Sequence, residues 1–99
     1  MSGTLTVIYW RDIPAQVTAT GGGESARSEL SERFQKAIDA AAMKADLVEA
    51  DAYLEEWNQQ ARPCGDDLEA EVASEVARLE AAYDRDALLQ LTRAGGQRG

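Results

Sequence analysis

Three groups of side chains in this sequence have the types that could do chemistry. Tyr9, Arg11 and Asp12 lie within four positions, Cys64 is the only thiol, and carboxylates sit side by side at Glu55-Glu56 and Asp66-Asp67. An Asp beside an Arg and a phenol is the best candidate for carboxylate-dependent chemistry, with Asp12 and Arg11 in the site of a small enzyme or enzyme subunit. The adjacent carboxylates do not make such a site. Successive residues on a helix point about 100° apart, so neither pair can share a proton, and both read as solvated faces and caps. Cys64 follows Pro63 and stands beside Asp66-Asp67, whose charge raises a thiol pKa and disfavours the nucleophilic thiolate. It reads as an inert, partly buried cysteine.

Histidine is absent, which removes the commonest general base and the commonest metal ligand. One cysteine can form neither an internal disulfide nor a zinc knuckle. No catalytic residue, metal-ligand set or cofactor is therefore assigned from the sequence. Ten Lys and Arg against eighteen Asp and Glu leave a net charge of -8 in 99 residues. That charge argues against nucleic acid and against an anionic membrane surface, both of which need a basic footprint. It serves solubility, or complements a basic protein partner. No apolar run approaches the roughly 18 residues of a membrane span, and Met1-Ser2-Gly3 leads into a strand pattern rather than a signal peptide, so a cytoplasmic protein is expected.

The elements that must position these groups follow from periodicity. Residues 4–19 form the one run rich in β-branched and aromatic side chains. Leu5, Val7 and Tyr9 alternate onto one face, with Thr4, Thr6, Ile8 and Trp10 on the other. Arg11-Asp12-Ile13 breaks the run, and Ala15, Val17 and Ala19 resume it. Strands over 4–10 and 14–19 in an antiparallel hairpin are expected. Gly21-Gly22-Gly23 lacks the Lys-Ser/Thr continuation of a phosphate loop and reads as a mobile loop.

From about Ser28 the period becomes helical, with Leu30, Phe34, Ile38, Ala41, Ala42 and Ala45 on one stripe and Ser28 or Ser31 as the cap. Asp46 with Glu49, or Asp51, can open a second helix carrying Tyr53, Leu54, Trp57 and Ala61, stopped by Pro63 and Gly65. Asp66 and Glu69 suit the start of a third helix with Leu68, Val72, Val76, Leu79 and Tyr83 inward. Residues 65–93 hold eight acids and three Arg, and this acidic helix is a surface that could mimic an anion for a basic partner. Asp86 can cap a last short helix ending near Arg93. The expectation is an α+β fold: an N-terminal antiparallel β-hairpin packed on three to four α-helices, one domain over 1–93, and a disordered tail over 94–99.

Two features point to binding rather than catalysis. A lone hairpin leaves both edges unpaired, which invites a further strand from a second copy or a partner protein. Ile8 and Trp10 end an otherwise polar strand face, and Trp10 adjoins Arg11, a pairing enriched at binding hot spots. The competing reading is that Trp10 closes the open end of a small core with Arg11 stacked over it.

Residues 6–17 (Thr6-Val7-Ile8-Tyr9-Trp10-Arg11-Asp12-Ile13-Pro14-Ala15-Gln16-Val17), together with Phe34-Gln35-Lys36-Ala37-Ile38-Asp39 and Asp51-Ala52-Tyr53-Leu54-Glu55-Glu56-Trp57, resemble a small bacterial domain family labelled "virulence factor". The resemblance covers most of residues 5–60. It implies no catalytic residue to carry over. Through the association of stand-alone members with one-carbon and corrinoid-linked methyl-transfer enzymes, it implies an accessory subunit. It singles out Trp10, Arg11, Asp12, Pro14 and Trp57. The expectation taken forward is a non-catalytic accessory or protein-interaction module, binding through the hairpin edge and a surface of Ile8, Trp10, Arg11, Asp12, Pro14 and Trp57.

Overall fold

A computed structural model describes residues 3–47 and 49–97. Met1, Ser2, Val48, Arg98 and Gly99 lie outside the described residues, and with them the reading of the extreme N-terminus and the last two positions of the tail.

The hairpin forms where the β-branched residues cluster. Strand β1 spans Gly3–Trp10 and β2 spans Ile13–Gly21, antiparallel, joined by Arg11 and Asp12. Leu5 lies opposite Ala19 and Val7 opposite Val17, all buried. Their partners on the other face, Thr6 opposite Thr18 and Ile8 opposite Gln16, are half-buried. The register shifts between Ile8 and Tyr9, where a bulge leaves Ala15 over and sets Tyr9 opposite Pro14.

Two further strands complete a four-stranded antiparallel sheet in the order β3-β2-β1-β4. Strand β3, Glu24–Glu29, takes in Ser28 and Glu29, where the first helix is expected to begin. It exists because Gly22 and Gly23 both take left-handed conformations, φ 58° and 80°, and close a tight turn after β2. The glycine triplet is thus a hairpin turn, not a mobile loop. Strand β4, Trp57–Cys64, replaces most of the expected second helix and pairs with β1 along its whole length. The hairpin's edges are therefore both filled by this chain itself.

The helices are α1 (Glu32–Lys44), α2 (Ala50–Glu55), α3 (Leu68–Ala82) and α4 (Arg85–Arg93). Ser31 is the N-cap position of α1, but its hydroxyl bonds Glu80 rather than the helix's own backbone. Asp67 caps α3 and Asp84 caps α4, each one or two residues from the expected caps, Asp66 and Asp86. Helix α3 packs on β2, β3 and β1, while α1 packs on β2 and α4. One core results, with Trp10, Phe34, Leu5, Ile13, Ile38, Leu79 and Val17 as its largest fully buried apolar side chains. Residues 94–96, expected to be disordered, lie in contact with the β1–β2 turn: Gly95 and Gly96 are buried there.

Candidate functional site

The motif positions converge at the turn end of the sheet, and they converge on one another. Trp10 is fully buried. Its ring stacks on Tyr53 of α2 at 5.6 Å between centroids, and its indole N–H donates to the Tyr53 carbonyl at 2.9 Å. Tyr53 in turn meets Trp57 edge-on at 6.0 Å. Trp57 opens β4 directly opposite Trp10. The strand motif and the Tyr53–Trp57 motif are thus two halves of one aromatic knot.

Arg11 closes that knot. It occupies the left-handed region at φ 53°, an unfavourable conformation for a side chain with a Cβ. The strain is offset by contacts to three elements. The backbone N–H donates to the Glu56 carbonyl at 3.0 Å. Nε and Nη2 both donate to Glu56 Oε1, at 2.9 and 2.7 Å, and Nη1 donates to the Gly95 carbonyl at 2.9 Å. The guanidinium lies over the Trp10 ring at 5.4 Å. Asp12 donates its N–H to the Gly96 carbonyl at 2.9 Å, and Asn58 Nδ2 donates to the Arg11 carbonyl at 3.1 Å. Gly96 has φ 90°, and a Cβ there would come within 2.8 Å of the Trp10 ring. Only glycine lets the chain pass so close to the indole.

These placements change the expected binding surface. Trp10 and Pro14 are interior and cannot touch a partner in this fold. The reading in which Trp10 closes the core under a stacked Arg11 is the one observed. The cause is the bulge at Ile8/Tyr9 together with α2 and the chain end over the turn, which fill the space a simple strand face would leave open. Ile8 and Trp57 stay half-buried and share a cavity of about 440 Å³ with Ala15, Gln16, Leu30 and the start of α1. Arg11 and Asp12 border a separate shallow polar groove, also about 440 Å³, with Glu55, Glu56, Trp57, Asn58 and Gln97. Tyr9 does not line that groove, so the three residues first considered for chemistry are not brought together.

Sequence reasoning did not find β4. It packs against β1 and no helix to any comparable extent, and residues 58–63 are exposed without a break. Beyond β1 it is held at its start by Trp57 against Tyr53 and Asn58 on the Arg11 carbonyl, and toward its end by Arg62, which donates to Glu75 of α3 at 3.2 Å. Glu75 is a buried carboxylate that Arg78 also binds through two nitrogens. Hydrogen bonding from Arg78 lowers the Glu75 pKa, burial opposes it, and the charges of Arg78 and Arg62 reinforce the lowering. Cys64, at the end of β4, is buried. Among the described residues no group of three or more Cys, Asp or Glu side chains is placed to hold a metal ion, and no helix is long and apolar enough to cross a membrane.

No curated protein matches this chain, and no solved structure does. A family model described as "Virulence factor" matches residues 8–92, a span that includes both halves of the Trp10–Tyr53 knot, β4 and all of the helices but the last residue of α4. The chain belongs to the virulence factor domain family.

Proposed function

We propose that this domain is a non-catalytic accessory module of the bacterial cytosol that binds a partner protein by strand addition at the outer edge of β4. The observation that carries the reading is the bareness of β4. It is an eight-residue edge strand, exposed over 58–63, with Arg62 as its one charged side chain. Such edges template pairing with another chain unless they are short, charged or covered. Trp57 at its start adds half-buried aromatic area beside the edge, next to Ile8. The expected surface is thereby moved from the hairpin to its neighbour, and the Arg11 corner becomes the frame that holds β4 in place. The family resemblance supplies the class of partner to try first, the one-carbon and corrinoid-linked methyl-transfer enzymes.

Along an antiparallel edge strand, successive amides point alternately inward and outward. Of Gln59 and Gln60, one therefore donates toward β1 and the other outward. Proline at the outward position blocks an added strand and leaves the ladder intact, while proline at the inward position destabilises the fold. Affinity capture from source cells with wild type, Gln59→Pro and Gln60→Pro tests the reading. A methyl-transfer enzyme held by wild type and lost from the variant that keeps wild-type stability supports it. Equal capture by that variant would overturn it.

A further inference from the structure

The other edge of the sheet differs in chemistry, and what it offers is independent of the reading above. Strand β3 pairs only with β2 among the described residues, and α3 runs beside it. Between them lies a groove of about 510 Å³ whose helical wall is Val72, Ala73, Val76 and Ala77 and whose floor is Ala26 to Ser28. Toward the start of β3 it meets a second groove of about 520 Å³ that shares Ala26 and Glu69 and adds Glu24, Asp66 and Asp67. The two form one channel along the strand, with Arg27 facing an apolar helical wall at the far end and four carboxylates at the near end.

We propose that this channel binds an extended basic protein segment as a fifth strand alongside β3. A strand edge with a helix parallel to it supplies both parts of such recognition: backbone groups for pairing, and a wall that reads every second side chain. The alanines at 26, 73 and 77 leave room for the occupant's apolar side chains. The four carboxylates fix its charge. Glu24, Asp66, Asp67 and Glu69 line the near end with no Lys or Arg among the lining residues. Asp67 is also the N-cap of α3, accepting from the Ala70 N–H. A second copy of this chain, at net charge -8, brings the wrong overall sign. Every pairing in the sheet is antiparallel, so an added strand following that rule ends its chain beside Glu24. Its basic residues therefore lie at its C-terminal end, with alternating apolar residues before them.

A fluorescein-labelled, amidated peptide Val-Thr-Val-Thr-Lys-Arg is the probe, with Val-Thr-Val-Thr-Glu-Glu as its charge-reversed control. Binding is read by anisotropy and by amide shifts on the full chain. The basic peptide is expected to saturate the protein with shifts confined to 24–29 and 66–77, and the control to bind at least about tenfold more weakly. Two variants guard against misfolding. Ala73→Arg puts a strong helix former at an exposed position and fills the wall. The combination Glu24→Gln, Asp67→Asn, Glu69→Gln removes charge while Asn keeps the cap. Each is expected to weaken the basic peptide by about tenfold or more while the circular dichroism spectrum is unchanged. Equal affinity for the two peptides, undiminished binding by Ala73→Arg, shifts at β4 instead of β3, or no saturable binding to wild type would each overturn the proposal. Every supporting readout comes from the channel between β3 and α3 and none requires a partner at the β4 edge, so the proposal stands or falls apart from the proposed function.

Discussion

The indole N–H of Trp10 donates to the backbone carbonyl of Tyr53 at 2.9 Å, across 43 residues of sequence, while the two rings stack with their planes inclined by 27°. One residue therefore serves as core filler, hydrogen-bond donor and anchor for α2. Trp10→Phe keeps an aromatic ring but leaves that carbonyl without its donor, and should cost about 1–3 kcal/mol. Trp10→Ala adds a cavity at a fully buried site and should cost about 3–5 kcal/mol. Urea unfolding of both variants checks this. Near-wild-type stability for Trp10→Ala would show that the indole is not the core residue described.

The Arg11–Glu56 pair is only partly shielded, with side chains 16% and 32% exposed. Its coupling should be modest, about 1 kcal/mol in a double-mutant cycle of Arg11→Ala and Glu56→Ala. The single change Arg11→Ala should cost more than the coupling, because it also loses the Gly95 acceptor contact and the cover over Trp10 while the left-handed turn stays strained. Arg11→Lys should recover charge but not the forked geometry, and so should fall between wild type and Arg11→Ala.

The chain end makes a sharper test, since its glycine-rich composition reads as a disordered tail. Here the Gly95 carbonyl accepts from Arg11 and the Gly96 carbonyl accepts from Asp12. A chain ending at Ala94 should lose about 2–3 kcal/mol from two unmade hydrogen bonds and an uncovered indole. Gly96→Ala should be destabilised as well, by the clash with Trp10 and the positive φ. Thermal melts that do not move on truncation would return residues 95 and 96 to the status of a tail.

These relationships explain what could and could not be seen in the residues alone. The β1–β2 hairpin was legible because β-branched residues alternate there, and α1 and α3 because their apolar stripes repeat at helical spacing. Strand β3 was not. Glu-Ser-Ala-Arg-Ser-Glu has little intrinsic strand preference, and pairing with β2 across the two-glycine turn overrides it. Strand β4 was actively disguised, because Tyr53, Leu54, Trp57 and Ala61 match a helical stripe and Asn, Gln and Arg fill the rest. Eight opposed residues on β1 decide the matter instead. Trp10 was placed on a polar face by strict alternation. The bulge at Ile8/Tyr9 and the cover from α2 have no local signature. The resemblance singles out the Trp-Arg-Asp-Ile-Pro and Tyr-Leu-Glu-Glu-Trp segments, yet nothing in either one shows that they bind each other.

Glu75 gives the fold a defined response to acid. Its folded pKa lies below the ordinary 4.5, chiefly through hydrogen bonds from Arg78, with Arg62 adding to the effect. In the window between the folded and unfolded values the unfolded chain binds more protons, so stability rises with pH there. The contribution is fully present above about pH 4.5 and disappears as pH falls through the folded value. Glu75→Gln should lower stability at pH 7 and flatten the acid limb of a stability–pH curve measured by urea unfolding. An acid limb of unchanged slope would assign the acid response to other carboxylates.

Strand β4 carries the last prediction, which concerns its free edge. Half of its amides should pair with β1 and half should face outward, since antiparallel pairing alternates along a strand. Native-state hydrogen exchange should then show protection that alternates along residues 57–64, Pro63 having no amide to report. Its protected amides should also exchange sooner than those of β1, which is paired on both sides. The pattern separates three states of the edge. Alternation at every protein concentration means an open edge, as strand addition by a partner requires. Alternation that gives way to uniform protection as concentration rises means that a second copy occupies it. Uniform protection in dilute solution would mean that the outward amides already have partners, and would remove the physical basis for a docking edge at β4.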